Sequence, residues 1–323
     1  MTSDSGRCFV TGGSGFIASS LVDRLLSLGH EVVAYDNFST GQRRFLDGAN
    51  ANPAFRLVEG DILDLKALTA AMAGCETVFH LSANADVRFG LEHPEKDLQQ
   101  NTIGTFNVLE AMRANDVHRI AFTSTGSVYG DSEVFPTPEN APLPIQTSLY
   151  AASKLAGEAM IEAYSEGFGM KAWIFRFVSV LGERYTHGHI FDFCHQLLKD
   201  PTALNILGDG SQRKSYIYIQ DCIDGMLAAL ERAEGRVNIL NVGNDGVLRV
   251  TESIEVICRE LGVSPELRFS GGQQGWIGDN PYILLDASRL RALGWQPKVS
   301  IADGVARTVR WLVANPWVFE ART

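Results

Sequence analysis

The chain has 323 residues, 45% hydrophobic and 20% charged, and these proportions exclude a disordered or low-complexity protein. Its 38 acidic residues outnumber its 28 basic ones, giving a net charge of −10, the opposite of the balance typical of nucleic-acid-binding proteins. No run approaches the roughly 18 apolar residues of a membrane-spanning helix, and residues 1–7 lack the apolar core of a signal peptide, so we expect a cytoplasmic protein.

The first part of the chain has the pattern of a parallel sheet. Short β-branched runs alternate with longer amphipathic ones, as in successive βαβ units. Strands are predicted at residues 8–11, 31–36, 55–60, 77–82, 119–124 and 172–177. Helices are predicted between them, among them residues 16–28, with Leu21, Leu25 and Leu28 on one face, and residues 98–115. The predicted fold class is therefore α/β, with a doubly wound parallel sheet.

After residue 177 the alternation breaks down and glycine-rich loops appear, which predicts a second, smaller domain. Two later segments, 216–219 and 237–242, still have strand character, so the chain is expected to return to the first domain before it ends in the second. We predict a sheet domain of residues 1–177 plus about 215–243, interleaved with a smaller α/β domain of residues about 178–214 plus 244–323.

The strongest local motif directly follows the first predicted strand and opens the first helix: Thr11-Gly12-Gly13-Ser14-Gly15-Phe16-Ile17-Ala18. Gly12 permits a tight turn, Gly15 lets the backbone approach a pyrophosphate, and Ala18 lets helix and strand pack closely. The N–H groups at the start of the helix are suited to phosphate groups. The motif therefore predicts dinucleotide binding.

Two acidic residues follow the next strands. Asp36 ends the second predicted strand, where a carboxylate accepts the hydroxyls of an adenosine ribose and repels a 2′-phosphate, so NAD is favoured over NADP. The nearby Arg43 and Arg44 weakly favour NADP instead. Asp61 follows the third strand, where an acid can meet the adenine amino group.

The fifth strand leads into Thr125 and Ser127, and a later helix opens with Tyr150-Ala151-Ala152-Ser153-Lys154. A spacing of four places Tyr150 and Lys154 on one helical face. An ammonium beside a phenol favours the phenolate and lowers the pKa of the tyrosine, while the Thr125 hydroxyl can bond the reacting oxygen. These three residues are the predicted catalytic group.

The cysteines and histidines suggest no metal chemistry. The five cysteines are odd in number and lack CxxC spacing, so they are interpreted as buried free thiols. His187 and His189 form the one close histidine pair in the sequence and have no third ligand nearby, so we expect no metal site.

Together these motifs resemble the extended short-chain dehydrogenase/reductase family, in particular its nucleotide-sugar epimerases and dehydratases. The resemblance runs over nearly the whole chain. Besides the motifs above, it rests on Phe79-His80-Leu81-Ser82-Ala83, Asn101-Thr102-Ile103-Gly104-Thr105, Gly208-Asp209-Gly210-Ser211-Gln212 and Leu293-Gly294-Trp295. The resemblance implies a Rossmann domain that holds NAD permanently and a C-terminal domain that binds the nucleotide diphosphate of a sugar.

The resemblance also implies a set of binding residues. The cofactor-binding residues are expected to be Gly12, Gly15, Phe16, Ile17, Asp36, Asn37, Phe38, Ser39, Asp61, Ile62, Leu81, Ser82, Ala83, Asn101, Tyr150, Lys154 and Phe177. The substrate-binding residues are expected to be Arg88, Ser127, Ser179, Ile206, Arg213, Lys214, Trp276 and Asp279. The arginine that relatives use for the diphosphate is displaced here, so Arg213 and Lys214 remain alternatives for that contact.

At two places this chain departs from the residue pattern of its relatives, and these differences bear on which reaction it catalyses and on which sugar. Relatives that eliminate water or carbon dioxide carry acidic residues directly after the catalytic threonine, and this chain has Gly126 and Ser127 there, which argues against both reactions. Ser179 replaces an asparagine found in relatives similar to UDP-glucose 4-epimerase, and UDP-glucuronate 4-epimerases look similar in using short hydroxyl residues at such positions. The resemblance thus implies NAD-dependent 4-epimerisation of a UDP-hexose through a 4-keto sugar, on either UDP-glucose/UDP-galactose or UDP-glucuronate/UDP-galacturonate.

Three further expectations remain. The alternatives are another nucleotide-sugar epimerase or reductase of the same family, and a non-catalytic NAD-binding regulator built on this fold. By resemblance, a homodimer is expected through the helices that carry Tyr150 and Asn101, with these apolar positions available for it: Ile103, Phe106, Leu109, Ala151, Leu155 and Ala159.

Overall fold

Six strands from the first part of the chain and one from residues 237–242 form a seven-stranded parallel sheet. The structure is a computed structural model that describes residues 6–84, 92–272 and 282–320. Its strands are β1 (Arg7–Thr11), β2 (Glu31–Asp36), β3 (Phe55–Glu59), β4 (Thr77–His80), β5 (Arg119–Thr125), β6 (Lys171–Phe177), β7 (Ser179–Leu181), β8 (Ala203–Ile206), β9 (Arg213–Lys214), β10 (Tyr216–Tyr218), β11 (Val237–Val242), β12 (Leu248–Arg249), β13 (Glu266–Phe269) and β14 (Tyr282–Ile283). The large sheet has the order β11-β6-β5-β4-β1-β2-β3.

This strand order confirms the predicted doubly wound fold. The chain runs outward from β1 to β3 and then crosses over to β4, so the order reverses between β1 and β4. In open α/β sheets, ligands bind beyond the carboxyl ends of the strands at such a reversal. The six strands predicted for this sheet are found with ends shifted by at most two residues, and the segment at 237–242 is its seventh strand.

Helices connect most of these strands. The α-helices span Phe16–Ser27, Asp47–Asn50, Leu65–Met72, Pro94–Lys96, Gly104–Ala114, Leu149–Phe168, His189–Lys199, Ile219–Arg232, Val250–Leu261, Ser288–Ala292, Ile301–Ala314 and Trp317–Glu320, with 3₁₀ turns at Arg43–Leu46 and Gly126–Tyr129. The first helix buries Leu21 and Leu25 as predicted, but Leu28 lies beyond its end and is 43% exposed. Gly29, with φ of 87°, follows and redirects the chain.

The helix predicted at 98–115 has two parts. A π-helical stretch, Asp97–Ile103, precedes the regular helix Gly104–Ala114. Asp97 and Asn101 are buried within this stretch, and their side chains bond each other and Asn84. Such buried polar contacts do not alter the apolar periodicity from which a helix is predicted, so the wider turn could not be anticipated.

The chain divides into two compact units. The first comprises Met1–Gly130, Ile145–Arg176 and Met226–Leu240, and the second comprises Asp131–Pro144, Phe177–Gly225 and Asn241–Thr323. The predicted domain boundaries differ from this division, because residues 131–144, 177, 215–225 and 241–243 group with the second unit. The segment 131–144 is bonded to the second unit through Asn241. The backbone N–H of Asn241 donates to the buried Glu139, and its side chain donates to the carbonyl of Thr137.

The first unit has an apolar core between the sheet and its helices. Phe9, Val33, Val78 and Ile120 from adjacent strands pack in it with residues of the helices, among them Met112. Strands buried on both faces are typical of a parallel sheet, which explains the nearly continuous apolar runs in the sequence. The core thus supports the carboxyl edge of the sheet, where the predicted site residues lie.

The second unit contains three small sheets. β10 pairs with β7, β9 lies between β12 and β14, and β13 pairs with β8. The strand at 216–219 was expected to belong to the large sheet, and instead β10 pairs in parallel with β7, with Tyr216 opposite Ser179. Among the described residues, no helix has the length and apolar character needed to cross a membrane.

Candidate active site

The glycine motif forms a tight loop between β1 and the first helix. Gly12 has φ of 66°, its N–H donates to the Tyr35 carbonyl, and a Cβ placed on it would lie 3.0 Å from the Ser82 backbone. A Cβ on Gly13 would lie 2.5 Å from the Ala34 Cβ. No side chain caps the helix, and its first turn carries no acid. The loop therefore leaves a helix start suited to phosphate groups beside backbone that only glycine can form.

Asp36 is buried at the end of β2 and is held by the glycine loop. Its carboxylate oxygens accept the N–H of Ser14 at 2.9 Å and the N–H of Phe38 at 2.7 Å. Arg43 lies over the Phe38 ring, 3.7 Å from its centroid, and pairs with the Glu59 carboxylate. Because this arginine already has an anionic partner and Asp36 is fixed at the strand end, the arrangement fits a cofactor with a free 2′-hydroxyl.

Asp61 lies beside this group. One of its oxygens accepts from the Asn37 side chain at 2.9 Å and the other accepts from the Leu63 N–H at 2.9 Å. Asn37 in turn accepts the Ser39 N–H at 3.0 Å. The structure thus brings the predicted residues Asp36, Asn37 and Asp61 together at one edge of the sheet.

A buried hydrogen-bond chain crosses the point where the strand order reverses. Thr11 accepts the N–H groups of Leu81 and Ser82 at 3.1 Å, so its hydroxyl proton is directed to Nδ1 of His80, at 2.8 Å. Thr105 donates to the Asn101 carbonyl at 2.6 Å and accepts from Nε2 of His80 at 2.9 Å. These contacts assign the Nε2–H tautomer to His80, and burial, with Lys154 as the second cause, lowers its pKa to about 3.

The predicted catalytic residues lie together at the ends of β5 and of a helix. Thr125 is the last residue of β5, accepts the Ser127 N–H at 3.1 Å, and is hydrogen-bonded to the Tyr150 hydroxyl. Ser148 caps the helix Leu149–Phe168 by accepting the Ala151 N–H at 3.1 Å. The capped helix start therefore holds Tyr150 in reach of Thr125, with Lys154 one turn further on.

The charges around Tyr150 differ from the sequence expectation. Burial, followed by the negative charge of Asp97, raises the pKa of Tyr150 to about 12, and the Thr125 hydrogen bond only partly opposes this. Lys154 is buried, and its burial lowers its pKa to about 7 although Glu158 acts in the other direction. The expected lowering of the tyrosine pKa by Lys154 is therefore not found.

A buried ion pair lies one turn beyond Lys154. Glu158 pairs with Arg176 at 2.6 Å, and both side chains are at most 4% exposed. Ser124 donates to the same carboxylate, and Arg176 donates to the Tyr129 hydroxyl at 3.0 Å. Sequence reasoning missed this pair, together with Asp97, although the spacing of Glu158 four residues after Lys154 was a visible signal.

Most of the predicted substrate-binding residues belong to the second unit. Ser179 is exposed on β7 and Ile206 is buried at the end of β8. Arg213 and Lys214 are successive residues of β9, so their side chains point to opposite faces. The remaining predicted residues, Arg88, Trp276 and Asp279, lie outside the described residues.

Lys214 lies near a half-buried histidine of the second unit. Burial, followed by the charge of Lys214, lowers the pKa of His189 to about 3, and the ring of His189 is 2.8 Å from the Ser253 hydroxyl. Within the described residues, no group of three His, Cys, Asp or Glu side chains is arranged to hold a metal ion.

The comparisons with known proteins agree with this geometry. The family model described as the NAD dependent epimerase/dehydratase family matches residues 8–243. A UDP-glucose 4-epimerase of Mycolicibacterium smegmatis is 36% identical over 313 residues, which are 94% of this chain and 98% of that one. The UDP-glucuronic acid decarboxylase 1 of Arabidopsis thaliana is 30% identical over 94% of this chain and 69% of its own.

Two solved structures show the same fold over nearly the whole chain. A UDP-galactose 4-epimerase is 38% identical with a TM-score of 0.86, covering 96% of this chain and 100% of that chain. A UDP-glucuronic acid 4-epimerase of Bacillus cereus, solved with NAD and a fluorinated UDP-glucuronic acid, is 27% identical with a TM-score of 0.87. The alignment covers 95% of this chain and 99% of that one.

Proposed function

The chain belongs to the NAD dependent epimerase/dehydratase family, and from this premise we propose that it catalyses NAD-dependent 4-epimerisation of a UDP-hexose. The pair is UDP-glucose/UDP-galactose or UDP-glucuronate/UDP-galacturonate. One observation carries the proposal: Tyr150 is hydrogen-bonded to Thr125 at the carboxyl edge of the sheet, and Lys154 lies one helical turn away. The glycine loop at the same edge supplies the binding site for NAD.

Each catalytic residue has a defined task. When bound, NAD would supply a hydride acceptor at C4 and, once the 4-keto sugar has turned over, a hydride donor to its other face, so that no net oxidation occurs. Tyr150 takes the proton of the 4-hydroxyl and later gives it back. Thr125 holds the reacting oxygen through its hydroxyl, and Lys154, in its protonated form, is the cation one helical turn away that could offset the charge of the phenolate. His80 bonds the Thr105 hydroxyl and Asn101 donates to the Ser153 hydroxyl, so both tie neighbouring elements to the site.

The lack of an acidic side chain at the two positions after Thr125 supports epimerisation over elimination or decarboxylation. The 3₁₀ turn after Thr125 begins with Gly126 and Ser127, neither of which can exchange a proton near C5 or C6 of the sugar at neutral pH. The Thr125 and Ser127 hydroxyl oxygens are 3.2 Å apart, so Ser127 is positioned as a hydrogen-bonding group. This observation separates the proposed reaction from that of the decarboxylase relative.

Two substituents at C6 of the sugar suit the site, a hydroxymethyl group and a carboxylate. Ser127 and the exposed Ser179 supply short hydroxyl groups that suit a carboxylate, and both also suit a hydroxyl group. We propose Arg213 or Lys214 as the cation for the diphosphate. Lys214 would offer a point charge, and Arg213 a planar fork.

The proposal is tested by incubating the purified protein, without added reductant, separately with UDP-glucose and with UDP-glucuronate. We expect one of them to be converted to its 4-epimer, observed by anion-exchange chromatography and proton NMR, without release of water or carbon dioxide. The Tyr150→Phe variant is expected to retain bound NAD and to lose turnover. Conversion of neither sugar by a wild-type protein that holds NAD would refute the UDP-hexose assignment, and undiminished turnover by the variant would remove Tyr150 from the mechanism.

We also propose that the protein is a homodimer. Support comes from apolar side chains exposed on the helical segment 97–114, where Leu98 is 56%, Ile103 43% and Phe106 40% exposed. Leu109 and Ala151, which were expected to be available, are fully buried and serve the core. Phe106→Lys is expected to convert a dimer to a monomer in light scattering, and a wild-type monomer would refute the proposal.

A further inference from the structure

A buried carboxylate opens the π-helical stretch Asp97–Ile103. This stretch lies next to the helix Leu149–Phe168, which carries Tyr150 and Lys154 and is called the catalytic helix below. Asp97 is 1% exposed, and its Oδ1 accepts hydrogen bonds from the side-chain amides of Asn84 at 3.0 Å and Asn101 at 3.2 Å. Amide N–H groups directed at a carboxylate oxygen stabilise the ionised form. π-Helical turns are rare and frequently mark functional sites. The segment therefore holds a negative charge in the interior of the first unit.

Asp97 is connected to the catalytic helix through Asn101. The Asn101 amide also donates to the Ser153 hydroxyl at 2.9 Å, and Ser153 donates to the Tyr150 carbonyl at 2.8 Å. The side-chain carbonyl oxygen of Asn101 accepts the Asn84 N–H at 2.8 Å, so the orientation of its amide is determined. Asp97 thus fixes Asn101 on one side, and Asn101 fixes the first turn of the helix on the other.

The charge of Asp97 acts on the same tyrosine. After burial it is the second cause that raises the pKa of Tyr150 to about 12, because a nearby negative charge disfavours the phenolate. Among the described residues, Asp97 is the charged group that shifts the pKa of Tyr150. Lys154, one turn further along the same helix, is buried, and burial lowers its own pKa to about 7, while Glu158 beyond it is paired with Arg176.

We propose that Asp97 is a positioning residue for Tyr150, which holds Asn101 against the catalytic helix and places a buried carboxylate beside that helix. The inference rests on the proposed function, since it assumes that Tyr150 is the base. Because a nearby negative charge disfavours the phenolate, Asp97 adds to the effect of burial in setting the pH at which Tyr150 ionises. Its loss should lower the pH at which Tyr150 ionises.

The test compares the NAD-containing wild-type enzyme with the Asp97→Asn variant, which keeps the side-chain shape and an acceptor oxygen. The acid limb of the kcat–pH profile is expected to move to lower pH by about half a unit to one unit, the range for one charge in a partly screened site. The ionisation of Tyr150, followed as the tyrosinate ultraviolet difference between each protein and its Tyr150→Phe counterpart, is expected to move by the same amount. Should Asp97→Asn fail to fold, Asp97→Ser removes the same charge.

Ser153→Ala is the matched control. It breaks the contact between Asn101 and the catalytic helix but keeps the charge of Asp97, so kcat should fall without a shift of the acid limb. An Asp97→Asn profile that is unshifted, or shifted to higher pH, overturns the inference. A wild-type enzyme without turnover on any UDP-sugar refutes the proposed function instead, and the ultraviolet titration then still decides the role of Asp97.

Discussion

Replacing His80 by glutamine should change the pH dependence of stability in a predictable direction. The ring accepts a hydrogen bond from Thr11 and donates one to Thr105, and it is completely buried. A glutamine amide also offers one acceptor and one donor but does not titrate. The substitution therefore removes a proton-binding site and keeps a means of joining the two threonines.

The magnitude follows from the pKa of His80, which burial lowers from 6.5 to about 3. The folded state binds fewer protons than the unfolded state between these values, so the stability conferred by neutral His80 is complete above pH 6.5 and is lost as pH falls towards 3. Between pH 7 and pH 5 the loss amounts to about 2 kcal/mol, since each pH unit below the unfolded pKa costs about 1.4 kcal/mol.

Urea unfolding at pH 7 and pH 5, with NAD at one fixed concentration, measures this difference. The wild-type protein is expected to lose about 2 kcal/mol more than His80→Gln on acidification, whatever the stability of the variant at pH 7. His118, whose side chain is 53% exposed, provides the control, and His118→Gln is expected to follow the wild-type protein. Equal losses for wild type and His80→Gln would show that His80 is not held neutral by the fold.

Two further substitutions test the loop and the buried ion pair. Gly12→Ala would place a Cβ 3.0 Å from the Ser82 backbone and force the glycine loop to shift, so NAD affinity should fall about tenfold in calorimetry, a loss of about 1.4 kcal/mol. Gly29→Ala carries the same positive-φ strain, at φ of 87°, but has open space around it and lies outside the loop, so it should leave NAD binding unchanged. Equal effects of the two would refute the assigned role of the loop. Glu158→Ala leaves Arg176 buried without its partner and should lower the free energy of unfolding by about 3–5 kcal/mol, whereas Glu166→Ala, in an exposed ion pair, should cost less than about 1 kcal/mol. A loss below about 1 kcal/mol for Glu158→Ala in urea unfolding would show that the pair is not essential to the fold.

The sequence by itself determined the sheet and the local parts of the site. The strands, the glycine loop and the spacing of Tyr150 and Lys154 are encoded over short stretches, where period and residue type reflect backbone geometry directly. The carboxylates at the ends of strands were found for the same reason, since parallel strands present their carboxyl ends at one edge. Asp36 and Asp61 therefore lie where they were expected.

Only the tertiary structure decided which distant polar groups meet and what charge they carry. Thr11 bonds His80 across 69 positions, and Asn101 bonds Ser153 across 52 positions, and neither separation corresponds to a period of helix or strand. The sequence expectation of a lowered tyrosine pKa was wrong for the same reason, because it included Lys154 and omitted both the burial of Tyr150 and the nearby Asp97. The pKa of a buried group depends on desolvation and on neighbours from other elements, and these exist only once the chain has folded.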